Sequence, residues 1–210
     1  MPCTLSKPAG LPVFPPHEDP LGDCLLRRLL ADQPHRAGLP WPPGFDGGLA
    51  HRLDTPTSGA VLCADDPEEL ELIRAAFAFG AFRKTYRFVS AGRVPWTSHT
   101  CDVPLAHDRR HKRRMLAQRG PNTPHRGRWF PAHTELRHLQ DDLWEAVITT
   151  GVTHQIRVHA AFVGLPLLGD PLYGRGQAPD AEAFLLHHVG MDDGGRWRTD
   201  PVPMPAWARD

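Results

Sequence analysis

Three short segments combine residue types that do chemistry with spacings that could hold them still. Residues 51–59 read HRLDTPTSG. Asp54 follows Arg52 by two positions, Thr57 and Ser58 can bond turn backbone, and Gly59 admits a backbone angle closed to other residues. Such a loop can present one carboxylate above a sheet; the plainer reading is an aspartate that caps a turn. Residues 151–159 read GVTHQIRVH, a strand end, a glycine turn and a helix opening. On a helix His154 and Val158 share a face, as do Gln155 and His159, and Arg157 points elsewhere, able to reach a carboxylate across the fold. The plainer reading is a surface arginine among hydrogen-bonded histidines. His154 and His159 make a poor zinc pair, since their spacing places them on different helix faces and no third ligand is evident. Residues 83–88 read RKTYRF. On a strand, Tyr86 can stack on a base while Lys84 and Arg87 meet phosphates, or it can be a half-buried sheet tyrosine.

Charge sharpens the picture. The formal net charge is zero, yet residues 107–128 hold eight cations against one carboxylate, Asp108. The cations are Arg109, Arg110, Lys112, Arg113, Arg114, Arg119, Arg126 and Arg128. Phosphates feel the local field over a Debye length of about 8 Å, so a neutral chain with a basic stripe can still bind a polyanion. The alternative is a solvated loop or a disordered arm.

These groups need elements to position them. The 210 residues suit one compact domain, 1–210. No apolar run approaches the ~20 residues of a membrane helix and the proline-broken N-terminus is no signal peptide, which predicts a cytoplasmic protein. Four cysteines without a CxxC pair argue against a disulfide framework and a cysteine zinc site. The 23 prolines and 19 glycines cut the chain into short elements, with loops over 8–20 and 34–48. Helices are predicted over 21–31, with Asp23 as a possible cap, over 66–79, with Asp66 as N-cap, Pro67 at the first position and Glu69 completing a capping box, and over 153–163, stopped by Gly164. Strands are predicted over 60–64, 84–91 and 143–149. Their irregular interleaving indicates an α+β fold with a mainly antiparallel sheet.

Taken together, HRLDTPTSG, RKTYRFV and THQIRVHAAFVGLPLLGDPLYG, in that order, resemble the RluA-type family of RNA pseudouridine synthases. KPAGLPV (7–13) looks like the family's first motif and LLHHVG (185–190) like its closing one. The resemblance implies the pseudouridine synthase catalytic fold: a mixed, mainly antiparallel sheet with flanking helices and loops around a central cleft, here without an N-terminal accessory RNA-binding domain. It implies isomerisation of uridine in ribosomal or transfer RNA to pseudouridine, with no metal and no other cofactor. Monomer is the expected state.

By resemblance, Asp54 is the essential carboxylate, Arg157 the cation that pairs with it, and Tyr86 the active-site tyrosine packing on uracil. Three roles for the carboxylate stay open: attack at C1′ of the sugar, attack at C6 of the base, and proton abstraction through a glycal. Arg52 matches the arginine that enters the space left by the extruded nucleotide. Lys84, Arg109, Arg110, Lys112, Arg113 and Arg114 are the expected RNA contacts, and His51, His154 and Gln155 support the loops. Tyr173 and the GDPLYG turn are expected to help close the site. Two departures stand out: Val152 replaces a usual basic residue, and His188 a usual small one. A catalytically idle RNA-binding relative and an N-glycoside hydrolase are the rival functions; the second is weakened by the lack of a second motif-borne carboxylate.

Overall fold

The computed structural model describes residues 2–174 and 184–209. In chain order the elements are β1 (Cys3–Lys7), α1 (Leu25–Asp32), β2 (Ser58–Cys63), α2 (Pro67–Ala78), β3 (Arg83–Val89), β4 (Ser98–Cys101), β5 (Leu105–Asp108), β6 (Met115–Ala117), β7 (His125–Phe130), β8 (Thr134–Gln140), β9 (Leu143–Ile148), α3 (Gln155–Phe162) and β10 (Leu186–Asp192). They fall into two compact units, Met1–Lys84 with His187–Pro205, and Thr85–Leu186 with Ala206–Asp210. No helix among the described residues is long and apolar enough to cross a membrane.

In the first unit the strands lie in the order β1-β2-β10, β1 antiparallel to β2 and β10 parallel to it. Helix α2 begins as its sequence predicts. Asp66 Oδ1 accepts from Glu69 N at 2.8 Å with Pro67 at the first position, and Glu69 reaches back one residue further than a standard capping box, accepting from Asp65 N at 2.9 Å. Leu70 and Ile73 of α2 pack with Leu62, Phe82, Met191 and Trp197 into one core. Helix α1 is shorter than expected and its cap differs. Cys24 Sγ accepts from Arg27 N, while Asp23 is drawn off into an ion pair with Arg28 and Leu21 is left exposed.

The second unit carries the order β3-β9-β8-β4, with β9/β8 and β8/β4 antiparallel, and a separate sheet, β6-β5-β7. The fold is α+β with a mixed, mainly antiparallel sheet. Leu105, Met115 and Ala117 of the small sheet pack against Val158 of α3, Ala132 and Tyr173. Val152 joins this cluster at its edge, which gives the valine at the basic position of the motif a packing role.

Candidate active site

The HRLDTPTSG loop belongs to the first unit, and its backbone is tied down from β1. Lys7 is 1% exposed and all three donors of its ammonium go to carbonyls: Pro8 O at 3.0 Å, Leu11 O at 2.6 Å and Thr55 O at 3.0 Å. Gly10 N donates to the same Thr55 oxygen at 2.9 Å, and Thr57 N closes a turn on Asp54 O at 2.9 Å. Leu53 and Thr57 point inward, Arg52 is exposed, and Asp54 is half-buried. The carboxylate therefore sits on a turn clamped at Thr55, the residue that follows it. Burial lowers the Lys7 pKa to about 8, and the charge on Asp54 opposes that drop, so the ammonium also lends Asp54 a nearby cation.

Beyond the turn, Gly59 is required by its neighbours. Its φ is +126°, and a Cβ there would lie 2.1 Å from His188 O, on the strand it pairs with. The same edge of β2 is completed by side chains where no strand runs. His188 Nδ1 donates to Ala60 O at 2.6 Å, His51 Nε2 accepts from Leu62 N at 3.0 Å, and Ala50 N donates to Leu62 O at 3.0 Å. To accept that bond the His51 imidazole must be neutral, whereas His188 donates with an N–H that either of its forms carries. Burial, with the Lys84 charge adding to it, holds His51 well below the usual histidine range and His188 at about 4. The rings meet edge to face at 5.6 Å. His188, bulky where the motif is usually small, thus takes a backbone-pairing role, and Ser58 bonds His187 Nδ1 at 2.9 Å beside it.

Lys84, expected as a phosphate contact, is 7% exposed, and its ammonium lies 5.6 Å over the Phe77 ring. Burial alone lowers its pKa to about 8. The reason is the strand period: in β3, Lys84, Tyr86 and Phe88 all point to the buried face, and Arg83, Thr85 and Arg87 to the other. Arg87 Nη1 is bonded to Ala208 O at 2.6 Å.

In the second unit, Arg157 and Asp170 form a buried fork. Nε and Nη2 donate to Oδ2 and Oδ1, each at 2.8 Å, and the side chains are 4% and 0% exposed. Asp170 Oδ1 also accepts from Leu172 N and Tyr173 N at 2.8 and 3.1 Å. The guanidinium lies between two rings, 5.2 Å from Tyr173 and 5.1 Å from Phe184. A bidentate, ring-flanked arginine keeps one orientation, a property lysine could not supply. Tyr173 connects this cation to its surroundings: its oxygen accepts from Met115 N at 2.8 Å and bonds His154 Nδ1 at 2.8 Å. Burial raises its pKa to about 12, so it keeps its proton for that second bond.

His154 does not lie within α3 but caps it in left-handed conformation, φ 56°. Gln155, the first helical residue, uses its whole amide. Its oxygen accepts from Val152 N and Thr150 Oγ1, and its nitrogen donates to His133 O and Thr134 Oγ1. His159 Nε2 donates to Val103 O, which leaves Nδ1 to accept from Thr134 Oγ1 at 2.8 Å. The two motif histidines are thereby committed to protein partners.

The basic stripe is neither loop nor arm throughout; it folds as the small sheet. Its single acid orders the β5–β6 hairpin tip. Asp108 Oδ1 accepts from Arg110 N at 2.7 Å and His111 N at 3.3 Å, and Arg114 N closes on His111 O. Arg109, Arg110, Lys112 and Arg113 are exposed on that tip, and half-buried Arg114 lies 5.5 Å over the Tyr173 ring. Residue type and spacing do not single out Asp170 or Lys7. Each lies inside a quoted motif, GDPLYG and KPAGLPV, but only the folded partners show what they hold.

Comparison with known proteins places this arrangement. The family described as RNA pseudouridylate synthase matches residues 3–162. The chain is 36% identical over 211 residues to an uncharacterized RNA pseudouridine synthase of Chloroflexus aurantiacus, covering 96% of this chain and 62% of that protein. It is 34% identical over 174 residues to ribosomal large subunit pseudouridine synthase D of Xanthomonas campestris pv. campestris, covering 81% of this chain and 48% of that protein. The chain thus spans about half to six tenths of the length of these two relatives. The solved structure of human RNA Pseudouridylate Synthase Domain Containing 4 has the same fold, with a TM-score of 0.71 at 23% identity over 99% of this chain and 87% of that one. With the family match running through the carboxylate loop, the tyrosine strand and the arginine helix, this chain belongs to the RNA pseudouridylate synthase family.

Proposed function

We propose that this protein isomerises uridine to pseudouridine within structured ribosomal or transfer RNA, with Asp54 as the acting carboxylate and Tyr86 and Arg157 serving the same nucleotide. The observation that carries the reading is the family match over residues 3–162, which spans all three positions, each filled by the residue type the chemistry needs. In the reaction the C1′–N1 bond breaks, the base turns, a C1′–C5 bond forms, and the C5 proton is lost as N1 gains one. The target base must leave its stack, which costs a few kcal/mol. Exposed Arg52 can fill the vacated space, and the Tyr86 ring can stack on the uracil for about 1–3 kcal/mol.

Asp54 acts on the sugar or the base as nucleophile or proton acceptor. Either role gains from a carboxylate that does not wander, and the Lys7 clamp on Thr55 supplies that. Arg157, fixed by Asp170, offers a cation whose direction is set before substrate arrives. The exposed hairpin tip supplies the phosphate-facing charge.

The test is tritium release from C5-labelled uridine in ribosomal and transfer RNA transcripts. The intact protein should release tritium and convert uridine to pseudouridine, and Asp54→Asn should reduce release to background with an unchanged circular dichroism spectrum and melting curve. RNA binding without release would instead mark a catalytically idle relative, and free uracil would mark a hydrolase; either result sinks the proposal.

A further inference from the structure

At the end of the β1–β2 ladder remote from Lys7 and Gly59, two thiols face each other. Cys3 opens β1, Cys63 closes β2, and the antiparallel register pairs them directly. Opposed residues in such a ladder have Cα atoms about 4.5–5.5 Å apart, inside the ~4.4–6.8 Å that a disulfide spans. Both cysteines are free; Cys63 is buried and Cys3 half-buried. Their neighbourhood is built around one cation. Arg36 is 3% exposed, with Nη1 3.4 Å from Cys63 Sγ and Nη2 3.9 Å from Cys3 Sγ. Gln33 Oε1, Gly47 O, Ala64 O and Asp65 Oδ1 hold the guanidinium in place, at 2.5, 3.1, 2.5 and 3.2 Å.

A fixed guanidinium against sulfur favours thiolate over thiol, and it disfavours a metal dication between the same sulfurs. The two thiols are not equivalent. The hydrogen bond from Cys63 and the Arg36 charge hold Cys3 at about 7, whereas that same hydrogen bond, with burial and the Cys3 charge, pushes Cys63 up. One thiol is the accessible thiolate, and the other stands behind it with its proton.

We propose that Cys3 and Cys63 form a peroxide-reactive dithiol, with Cys3 attacking and Cys63 resolving. The Cys3 thiolate attacks one oxygen of a hydroperoxide; the O–O bond breaks and hydroxide or alkoxide leaves, giving a sulfenic acid. Cys63 sulfur then attacks the sulfenic sulfur, the S–O bond breaks, and water leaves with the thiol proton. The two sulfurs are oxidised by two electrons in total and the hydroperoxide is reduced. The product is a cross-strand disulfide that locks the ladder whose other end holds Lys7. This dithiol is independent of the isomerase reading and is tested without RNA.

The intact protein treated with hydrogen peroxide at pH 7 should lose two of its four free thiols and yield a Cys3–Cys63 linked peptide that dithiothreitol reverses. In Cys63→Ser the reaction should stop at a dimedone-reactive sulfenic acid on Cys3. In Cys3→Ser, Cys63 should stay unoxidised. The pH profile of Cys3 alkylation should have its midpoint near 7. At pH 6 its rate should be about sixfold that of an ordinary thiol, since a roughly 30-fold larger thiolate fraction is offset about fivefold by weaker nucleophilicity. An alkylation midpoint at or above the ordinary thiol value of about 8.5, a disulfide joining two chains, or oxidation that leaves Cys63 a thiol beside oxidised Cys3 would each overturn the proposal.

Discussion

Replacing Lys84 by methionine should stabilise the protein near neutral pH. The ammonium is 7% exposed, and burial brings its pKa from 10.5 to about 8. That difference corresponds to about 3 kcal/mol, the upper bound on what holding the charge inside the fold costs. The sign follows from proton binding. Below pH 8 the lysine is charged both folded and unfolded, so its cost is constant there. Between about 8 and 10.5 only the unfolded chain keeps the proton, so the wild-type protein regains stability as pH rises. Methionine keeps much of the stem's volume and carries no charge. Lys84→Met should therefore raise unfolding free energy by up to about 3 kcal/mol at pH 7, with the advantage shrinking toward pH 10.5. The assay is urea unfolding of both proteins at pH 7, 8, 9 and 10, since the linear free-energy slope lets the difference be read at each pH. A variant that is less stable at pH 7, or a stability difference that does not change with pH, would refute the reasoning.

Three further outcomes follow from the geometry. Gly59→Ala should lose more than about 3 kcal/mol, because a Cβ would meet His188 backbone at 2.1 Å in a backbone conformation unsuited to alanine; thermal unfolding reads this directly. Asp170→Asn should lose about 3–5 kcal/mol, since it removes the carboxylate charge that a 4%-exposed guanidinium is forked to, and turnover of the folded fraction should fall with it. Neutralising Arg109, Arg110, Lys112 and Arg113 should weaken RNA binding and flatten its salt dependence by about 0.7–0.9 for every phosphate no longer neutralised, with little change in melting temperature, because all four are exposed.

Local signals with short reach are legible in the sequence. Asp66, Pro67 and Glu69 mark the start of α2 by bonds spanning three or four residues, and Gly164, with φ 96°, ends the segment after α3. The strand period around Tyr86 is legible too, but not which face is buried, so Lys84 reads as a solvent-facing cation until the sheet is seen. The small sheet is hidden for a related reason. Its arginines and histidines swamp the few apolar residues, Leu105, Met115 and Ala117, which gain meaning only against Val158 and Tyr173 far along the chain. At α1 two caps compete, and the Arg28 guanidinium decides the matter by drawing Asp23 aside. The partners that hold the motif residues are invisible because they come from distant segments. Lys7 reaches Thr55 across 48 positions and Asp170 reaches Arg157 across 13.

The parallel pairing of β2 with β10 has a consequence for how the molecule is made. Ser58 and His187 are separated by 129 positions, so the early strand waits for its late neighbour while the ribosome adds the intervening chain. At about 5–20 residues per second that interval is roughly 6–26 s. Throughout it the beginning of β2 presents an uncovered flank to crowded surroundings, where stray strands can adhere. Nascent chains stalled before residue 187 are therefore the species that chaperones would need to shelter, and the start of β2 is covered only once β10 has emerged.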